Sequence, residues 1–423
     1  MSETVFTYAS PALKFGSGAS AEIAFDLGRH DVRRVLLVTD PGVAATGHPG
    51  RIAEQLRAAG LDVTVYDRVR VEPTDASIEE AVAAARGAGP FDAVVAVGGG
   101  SSIDTAKAVN LLTTNDGELS DYLNAPVGEG RAPARPLLPL VAVPTTTGTG
   151  SEATAICVLD VLALRLKSGI SHPWLRPTLA VVDPDLTATQ PPMVTAAAGM
   201  DVLCHALESY TARWYADFDA KAPEQRVPYC GANPIADLWS EKALSLLAGS
   251  LRTAVREGDQ DSARPAREQM AMAATFAGLG FGNAGVHIPH ACAYPIAGRV
   301  RSFRPAGYPD DEPIVPHGMA VSLTAPAAFG FTFEASPERH LRAAALLDPA
   351  ATTSDADTLP RVLRALMGDI GFPSGLAEVG YLEADVEDLV DGTLRQTRLL
   401  ATAPREPAAE DLAGILRASM ENW

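Results

Sequence analysis

Short apolar runs alternate with helical patterns through the first half of the chain, and this alternation constrains the fold more than any other feature of the sequence. The runs typical of strands cover residues 35–39, 63–66, 93–97, 138–143 and 179–182, and the helical patterns cover residues 52–59 and 78–86. Strands that alternate with helices in this way form a parallel sheet with helices on both faces. The sequence therefore predicts an α/β domain in this half.

The sequence changes character near residue 190. Amphipathic stretches rich in alanine and leucine follow, at residues 196–211, 237–256, 267–279, 337–347, 359–370 and 386–397. Apolar residues at this spacing predict helices that each bury one face, and strand patterns are scarce. We expect an α/β domain of residues 1–190, followed by an all-helical domain of residues 191–423.

The composition excludes several classes of protein. A formal charge of -18 argues against nucleic acid or a membrane surface as a partner. The four cysteines are scattered and form no C-x-x-C pair, which indicates a reducing compartment rather than a disulfide framework. The first ten residues contain neither a basic nor an apolar segment, and no apolar run is long enough to span a bilayer. We therefore expect a soluble, cytoplasmic protein.

A glycine-rich turn connects the predicted strand at residues 93–97 to a helical pattern. Gly98, Gly99 and Gly100 allow backbone N–H groups to approach a pyrophosphate, and the helix N-terminus after Ser101 favours negative charge. The G-x-G-x-x-G fingerprint is absent, so a tight turn with a purely structural role is the alternative.

A second loop, rich in hydroxyl groups, follows the predicted strand at residues 138–143. Thr145, Thr146 and Thr149 lie in it among glycines, and this combination suits contacts with phosphate and ribose groups. The alternative is a polar loop held by its own hydroxyl turns. Residues 148–153 match G-x-G-x-x-A, but the β-branched segment after them does not open a helix, so we give this match no weight.

Asp40 stands at the carboxyl end of the first predicted strand. A carboxylate there can accept a hydrogen bond from a ribose 2′-hydroxyl and would repel a 2′-phosphate, which favours NAD over NADP. The residues after it, Pro41 and Gly42, are equally typical of a turn that begins with Asp.

Four donor side chains in the second half form a candidate metal site. Asp201 and His205 are four residues apart in a helical pattern, which places them on one face, one turn apart. His290 and His317 follow further along the chain, and each comes directly after a proline. One carboxylate and three imidazoles, without a thiolate, suit Fe(II) or Zn(II) and leave a position open for a substrate oxygen. A single histidine is more often a core or surface residue.

In their order along the chain, these motifs resemble the iron-type, or group III, alcohol dehydrogenases. The shared residues, spread over nearly the whole chain, are Gly98-Gly99-Gly100-Ser101 with Asp104, Pro144-Thr145-Thr146 with residues 148–152, Asp201 with His205, then His290 and Pro316-His317-Gly318. Each motif alone is modest, whereas the series in this order is highly specific.

The resemblance implies a dinucleotide-binding N-terminal domain, a helical metal-binding C-terminal domain and an NAD-dependent oxidoreductase. The metal would act as a Lewis acid on a small alcohol, aldehyde, hydroxy acid or oxo acid, and we expect Fe(II) rather than Zn(II) and a homo-oligomer. The implied metal ligands are Asp201, His205, His290 and His317. The implied cofactor contacts are Asp40, Gly99, Gly100, Ser101, Asp104, Thr145, Thr146, Thr149 and Lys167. For Lys167, a surface salt bridge is the alternative.

The family often has a second histidine one turn after the third metal ligand, where this chain has Tyr294. Tyrosine can donate or relay a proton but does not titrate near neutral pH. Tyr294 and His287 are the candidate catalytic residues for proton transfer. His287, three residues before His290, is equally well explained as an ordinary helix-end residue.

Three segments are similar to one subgroup, the hydroxyacid-oxoacid transhydrogenases: residues 226–237, residues 281–295 and an inserted loop at residues 301–313. That subgroup passes a hydride from a 4-hydroxy acid to a 2-oxo acid through a retained nicotinamide. A carboxylate substrate favours pairing with arginine, and Arg299, Arg301 and Arg304 are the candidates, although each also suits a solvated basic loop.

Three other functions are compatible with these motifs. The first is a general NAD-dependent alcohol or aldehyde dehydrogenase that releases its cofactor in each cycle. The second is a metal- and NAD-using lyase related to dehydroquinate synthase, and the third is a non-catalytic nucleotide sensor. A full ligand set together with a complete cofactor loop argues against the sensor.

Overall fold

The computed structural model describes residues 2–164, 166–258, 260–309 and 312–423. By their internal contacts these residues form two compact units, one of residues 9–189 and one of residues 190–423 together with residues 2–8. The sequence predicted the first eight residues to lie with the α/β domain. Instead, Glu3 donates its N–H to Phe218 O and accepts a hydrogen bond from Arg226, partners more than 200 residues away that sequence spacing does not reveal.

A parallel sheet forms the centre of the first unit. The strands are β1 (Ala12–Phe15), β2 (Arg34–Val38), β3 (Asp62–Tyr66), β4 (Ala93–Gly98), β5 (Leu140–Pro144), β6 (Ile156–Val161), β7 (Leu166–Ser171) and β8 (Leu179–Val182). Six of them pair in the order β1-β8-β5-β4-β2-β3, and every neighbouring pair is parallel. β6 and β7 form a separate antiparallel hairpin. The predicted α/β fold is confirmed.

Helices flank the sheet strands along the chain. They are α1 (Ile23–Leu27), α2 (Pro41–Ala45), α3 (His48–Ala58), α4 (Asp75–Ala88), α5 (Gly100–Thr114) and α6 (Leu119–Tyr122). β4 and β5 are buried along their whole length, as expected for central parallel strands. α5 follows β4 directly, and most of its residues are buried.

The second unit is helical. Its helices are α7 (Pro192–Thr211), α8 (Pro234–Glu257), α9 (Arg264–Ala284), α10 (Ile288–Gly298), α11 (His317–Thr332), α12 (Pro337–Leu347), α13 (Thr358–Asp369), α14 (Val386–Leu394), α15 (Thr397–Leu400) and α16 (Ala409–Ala418). They share one hydrophobic core, in which Leu203, Leu244 and Phe329 are completely buried. Within the described ranges, no helix has both the length and the apolar composition needed to cross a bilayer.

The sequence predicted six of these ten helices and missed α10, α11, α15 and α16. α10 and α11 are buried on nearly all sides, so they lack the one-sided apolar pattern that marks a surface helix. Each also contains an internal proline, Pro295 or Pro326, which normally argues against a helix.

Candidate metal centre and cofactor loops

The four predicted metal ligands lie on three helices of the second unit. α7 presents Asp201 and His205 one turn apart, and both side chains are buried. His290 lies in the first turn of α10, and His317 is the first residue of α11. Helical spacing alone therefore brings together two of the ligands, and the packing of α10 and α11 brings the other two.

The three imidazoles converge on one carboxylate oxygen. The Nε2 atoms of His290, His205 and His317 lie 3.6, 3.8 and 3.9 Å from Asp201 Oδ1. The ligand atoms of Asp201, His205 and His290 all lie within 4.8 Å of one another. Separations of this size are close to those expected for ligands that each lie about 2 Å from one shared cation.

Unsatisfied polar atoms in this cluster fit a metal ion. Asp201 Oδ1 and His290 Nε2 are buried, and neither has a hydrogen-bond partner among the residues that the structure describes. Buried polar atoms normally have such a partner. A carboxylate oxygen and an imidazole nitrogen that are close together without a hydrogen bond are the donors that a divalent transition metal takes.

Gly318 explains how α11 approaches α7 closely enough to bring His317 to Asp201. A β-carbon on Gly318 would lie 2.1 Å from the carbonyl oxygen of Ala197 and 2.7 Å from Cβ of Asp201. Any larger residue would push the first turn of α11 away from α7. The glycine of the Pro-His-Gly triplet allows the close approach of α11 to α7, and this approach brings the histidine before it to Asp201.

Glu208, which the sequence analysis did not single out, also belongs to this cluster. It lies one turn after His205 on α7, is completely buried, and its Oε1 lies 2.5 Å from His290 Nδ1. Its Oε2 accepts a hydrogen bond from the N–H of His287 at 2.5 Å. The signal was present in the sequence, because Asp201, His205 and Glu208 follow one another at the i, i+4, i+7 spacing of one helix face.

Burial and neighbouring charges shift the pKa values of the ligands in different directions. Burial lowers the pKa of the His205 imidazole to about 3. Burial also opposes the charged form of His290, but Glu208 and Asp201 outweigh it and raise the pKa of that imidazole to about 9. Burial alone would raise the pKa of Asp201, yet the imidazoles around it hold that pKa well below its usual range. Asp201 is therefore ionised at neutral pH and can bind a cation.

The two candidate proton-transfer residues have different surroundings. Tyr294 is buried, and its ring centroid lies 6.2 Å from that of His317. His287 is completely buried, its Nε2 lies 3.0 Å from Thr211 Oγ1, and burial lowers its pKa to about 4. Because the Thr211 hydroxyl donates to Leu207 O, it accepts from His287, which is held neutral and engaged with α7.

The arginines expected to meet a substrate carboxylate have other contacts in the second unit. Arg299 pairs with Asp388 at 3.0 Å, and Arg301 pairs with Asp385 through both terminal nitrogens. Arg304 is exposed. The inserted loop at residues 301–313 includes residues 310 and 311, which lie outside the described residues.

The glycine turn and the threonine loop lie against each other in the first unit. A β-carbon on Gly99 would lie 3.2 Å from the Thr146 hydroxyl oxygen, and one on Gly100 would lie 2.6 Å from the Thr149 methyl carbon. The two segments follow β4 and β5, which are neighbouring parallel strands. Five predicted cofactor contacts therefore lie side by side where parallel sheets of this type bind dinucleotides, namely Gly99, Gly100, Thr145, Thr146 and Thr149.

Two buried hydroxyl groups are found at the same edge of the sheet. Thr39 Oγ1 follows β2 and Thr145 Oγ1 follows β5, and neither has a hydrogen-bond partner in the described part of the chain. Unpaired buried hydroxyls are uncommon. They are suitable partners for the ribose and phosphate oxygens of a nucleotide. Thr39 was not identified from the sequence, because a single threonine at a strand end carries no distinctive pattern.

Asp104 is engaged inside the protein. Its Oδ2 accepts a hydrogen bond from Val158 N at 2.8 Å, and its Oδ1 accepts one from Ser151 Oγ at 2.5 Å. Lys107, which the sequence analysis did not single out, is completely buried beside it, with Nζ 3.3 Å from Asp104 Oδ1 and 2.6 Å from Ile156 O. The pair joins α5 to the segment after the threonine loop, and a direct contact of Asp104 with a cofactor stays a prediction.

Ser101 and Lys167 also have partners within the first unit. Ser101 Oγ accepts a hydrogen bond from Glu72 N at 3.1 Å. Lys167 Nζ lies 2.6 Å from Glu72 Oε2 and 2.8 Å from Asp160 Oδ2. Lys167 is therefore salt-bridged, as the alternative interpretation held, but its side chain is buried rather than on the surface.

Asp40 has the local role of a helix cap. Its Oδ1 accepts a hydrogen bond from Val43 N at 2.9 Å, which caps α2, and its Oδ2 accepts one from Ser102 Oγ at 3.1 Å. A carboxylate has about four acceptor positions. The two bonds therefore leave capacity for a ribose hydroxyl, and both interpretations of Asp40 are compatible with its surroundings.

Comparison with known protein families gives matches along most of the chain. A family model described as iron-containing alcohol dehydrogenase matches residues 10–184. A second model, described as the C-terminal region of the Fe-containing alcohol dehydrogenase family, matches residues 195–420. Hydroxyacid-oxoacid transhydrogenase, mitochondrial, from Bos taurus is 44% identical, over 98% of this chain and 90% of that protein.

Solved structures give matches over the same extent. A structure of 1,3-propanediol oxidoreductase has a TM-score of 0.85 and 29% identity, and covers 98% of this chain and 100% of its own. Sulfoacetaldehyde reductase from Bifidobacterium kashiwanohense, solved in complex with NAD+, has a TM-score of 0.81 and 28% identity, and covers 99% of both chains.

The prediction of a cytoplasmic protein is wrong in the light of these relatives. The Bos taurus protein is named as a mitochondrial enzyme. The prediction rested on the absence of a basic or apolar segment in the first ten residues. The composition of these ten residues does not determine the compartment in which the protein works.

Proposed function

The chain belongs to the iron-containing alcohol dehydrogenase family of oxidoreductases, and from this premise we propose that it is a hydroxyacid-oxoacid transhydrogenase. In this reaction a small hydroxy acid is oxidised and an oxo acid is reduced through one nicotinamide that stays bound. The identity of 44% to the Bos taurus transhydrogenase over 98% of the chain supports this activity over that of a dehydrogenase that releases NAD.

The observation that carries the proposal is the convergence of three imidazoles on Asp201 Oδ1, at 3.6 to 3.9 Å. We assign the metal ligands as Asp201, His205, His290 and His317. When bound, the metal supplies Lewis-acid polarisation of the substrate oxygen and the nicotinamide supplies a two-electron hydride acceptor. A nitrogen and oxygen donor set without thiolate suits either Fe(II) or Zn(II). The family description favours Fe(II).

The first unit supplies the cofactor contacts in this proposal. Backbone N–H groups of the glycine turn bind the pyrophosphate, the threonine loop binds phosphate and ribose oxygens, and Asp40 selects NAD by accepting from the ribose. Asp104 and Lys167 support these contacts through the bonds described above. The assigned residues are Asp40, Gly99, Gly100, Ser101, Asp104, Thr145, Thr146, Thr149 and Lys167.

The second unit supplies the candidate proton-transfer residues. We assign the Tyr294 hydroxyl to relay the proton of the substrate hydroxyl, because Tyr294 occupies the position where the family often has histidine. His287 is neutral and bonded to Thr211, so we assign it to hold the entry into α10. Because Arg299 and Arg301 are ion-paired, the proposal assigns neither of them to the substrate carboxylate.

The decisive test is hydride transfer between two acids without added NAD. A 4-hydroxy acid deuterated at its carbinol carbon is incubated with a 2-oxo acid and the purified enzyme, and the products are measured by mass spectrometry. We expect one oxidised hydroxy acid for each reduced oxo acid, with the deuterium on the carbinol carbon of the new 2-hydroxy acid. Turnover that requires added NAD and releases NADH would identify a dehydrogenase instead.

The metal assignment is tested by Asp201→Ala and His205→Ala. We expect both variants, purified without air, to lose bound metal and turnover together, while wild-type protein contains iron by elemental analysis. His30→Ala, at an exposed position in the first unit, is the control and should keep both. Full activity in a metal-free variant would refute the site, and zinc in place of iron would refute the choice of metal.

A further inference from the structure

We propose that Glu208 is a positioning residue that sets the metal affinity of the centre, by fixing the ring of His290 and the start of α10. Glu208 is not one of the ligands around Asp201 Oδ1. It contacts His290 at Nδ1, whereas the other ring nitrogen, Nε2, faces Asp201. The inference rests on the metal site of the proposed function and extends it to a residue outside the ligand set.

Glu208 contacts the ring of His290 directly. An ionised carboxylate only accepts hydrogen bonds, so the contact of 2.5 Å between Glu208 Oε1 and His290 Nδ1 places a hydrogen on Nδ1. In the neutral ring the lone pair then lies on Nε2. Nε2 is the atom that lies 3.6 Å from Asp201 Oδ1. Glu208 therefore selects the tautomer and the ring orientation that metal binding needs.

Glu208 also contacts the N-terminus of α10. His287, the residue before this helix, makes no side-chain capping bond. Pro289, the second residue of the helix, has no N–H group. Glu208 Oε2 accepts hydrogen bonds from His287 N at 2.5 Å and from His290 N at 3.4 Å. A carboxylate from α7 thus caps α10, where negative charge is favoured by the helix dipole.

These bonds connect the ligands on α7 to the ligand on α10. Glu208 shares one face of α7 with Asp201 and His205, and it holds His290 by its ring and by its backbone. Glu208 therefore fixes the position of His290 relative to Asp201 and His205 before any metal binds. Glu208 is completely buried, so water does not compete for these hydrogen bonds and the low dielectric strengthens them.

The central experiment measures metal affinity and stability separately in Glu208→Gln. The single amide oxygen of glutamine cannot accept the bonds of both carboxylate oxygens, so the ring of His290 loses its fixed orientation. Dissociation constants for Zn²⁺ and Co²⁺ are measured on metal-free protein by competition with a chromophoric chelator. We expect an affinity lower by about 10- to 100-fold, as for other residues that orient metal ligands, and a shifted visible spectrum of the Co²⁺ form.

The matched control is Glu241→Gln. Glu241 Oε1 on α8 accepts a hydrogen bond from the Tyr210 hydroxyl on α7 at 2.8 Å, so this change also weakens a bond between helices but touches no metal ligand. Its metal affinity and Co²⁺ spectrum should equal those of the wild type. A lower melting temperature of metal-free Glu208→Gln with unchanged metal affinity would show a purely structural role and overturn the proposal.

A double-mutant comparison tests whether Glu208 acts through His290. In a His290→Ala background, Glu208→Gln should cause little further loss of affinity, because the ring that it positions is gone. An equal loss in both backgrounds would overturn the proposal. If Glu208→Gln does not fold, Glu208→Asp, which withdraws the carboxylate by one methylene group, is judged by the same two comparisons. Wild-type protein that binds metal without transhydrogenase activity would refute the proposed reaction and leave this inference standing.

Discussion

Thr149 packs so tightly against Gly100 that a β-carbon on Gly100 would lie 2.6 Å from the methyl carbon of Thr149 and 2.7 Å from its hydroxyl oxygen. These distances are too short for any side chain at position 100. An added methyl group at this first residue of α5 therefore requires the Thr149 side chain, or the loop that carries it, to move.

Gly100→Ala should consequently weaken cofactor binding. Overpacking of this kind costs about 1–3 kcal/mol, and here the cost falls on the contact between the two loops assigned to the nucleotide. We expect a higher dissociation constant for NAD, measured by calorimetry on nucleotide-free protein. Gly87→Ala in α4 is the control, because a β-carbon there has no neighbour within 4 Å. Wild-type affinity in Gly100→Ala would show that the loop is not part of the binding site.

Lys107→Met should destabilise the first unit strongly. The buried ammonium of Lys107 donates to Ser151 Oγ at 2.7 Å and to Ile156 O at 2.6 Å, and methionine leaves these acceptors and the Asp104 carboxylate without a cation. Removing one partner of a buried ion pair typically costs about 3–5 kcal/mol. The urea midpoint of the first unit should fall accordingly.

Lys14→Met is the comparison for this prediction. Lys14 pairs with Glu22 and Asp26 but is partly exposed to solvent, with 24% of its side-chain surface accessible. Partly exposed ion pairs contribute about 0–1 kcal/mol. Equal losses in the two variants would mean that the Lys107 network contributes no more than a surface pair.

Glu152 should make the stability of the first unit depend on pH. Burial raises the pKa of its carboxyl from 4.5 to about 7, although Lys107 acts in the opposite direction. Between these two pH values the folded state holds a proton that the unfolded state has released, so stability falls as the pH rises through this window. The shift corresponds to a loss of about 3 kcal/mol above the upper value.

Glu152→Gln should remove this dependence. Glutamine has the shape of the protonated carboxyl and does not titrate, so the variant should gain stability relative to the wild type as the pH rises from about 5 to about 8. Melting temperatures across this range provide the measurement. Glu79→Gln, at an exposed position in α4, should follow the wild-type curve. Parallel curves for wild type and Glu152→Gln would contradict the shifted pKa.

The fold was predictable where one pattern dominated a segment. Apolar runs identified the inner strands β4 and β5, and one-sided apolar spacing identified helices such as α12, which spans the predicted residues 337–347. The edge strand β1 was missed because its four residues are half-buried or exposed and form no apolar run. α10 and α11 were missed for the opposite reason, because they are buried on nearly all sides.

The candidate site was predictable only in part. Helical spacing brings together Asp201 and His205, and the same rule would have found Glu208. The approach of α10 and α11 is a tertiary contact, so the resemblance to a family, and not the spacing, predicted their two histidines as ligands. Lys167 shows the limit most clearly, since its buried partner Glu72 is 95 residues away and no local pattern indicates the pair.

Two variants of Asp40 should separate its role as the cap of α2 from its role in cofactor choice. Asp40→Asn keeps a side-chain oxygen for the N–H of Val43 and so preserves the cap of α2. Its amide NH₂ can donate to Ser102 Oγ in place of the bond that Oδ2 accepts, but the negative charge is removed. If the charge excludes a 2′-phosphate, Asp40→Asn should bind NADP more tightly than the wild type does, with little change in melting temperature.

Asp40→Ala removes both the charge and the cap. It should gain affinity for NADP as Asp40→Asn does, and it should also lose about 1 kcal/mol of stability, because α2 loses its capping oxygen and Ser102 Oγ loses its acceptor. The dissociation constants of NAD and NADP and the melting temperature are measured on each nucleotide-free variant. If Asp40→Asn discriminates against NADP as strongly as the wild type, the carboxylate serves only as a helix cap, and cofactor choice must be assigned to other residues at this edge of the sheet.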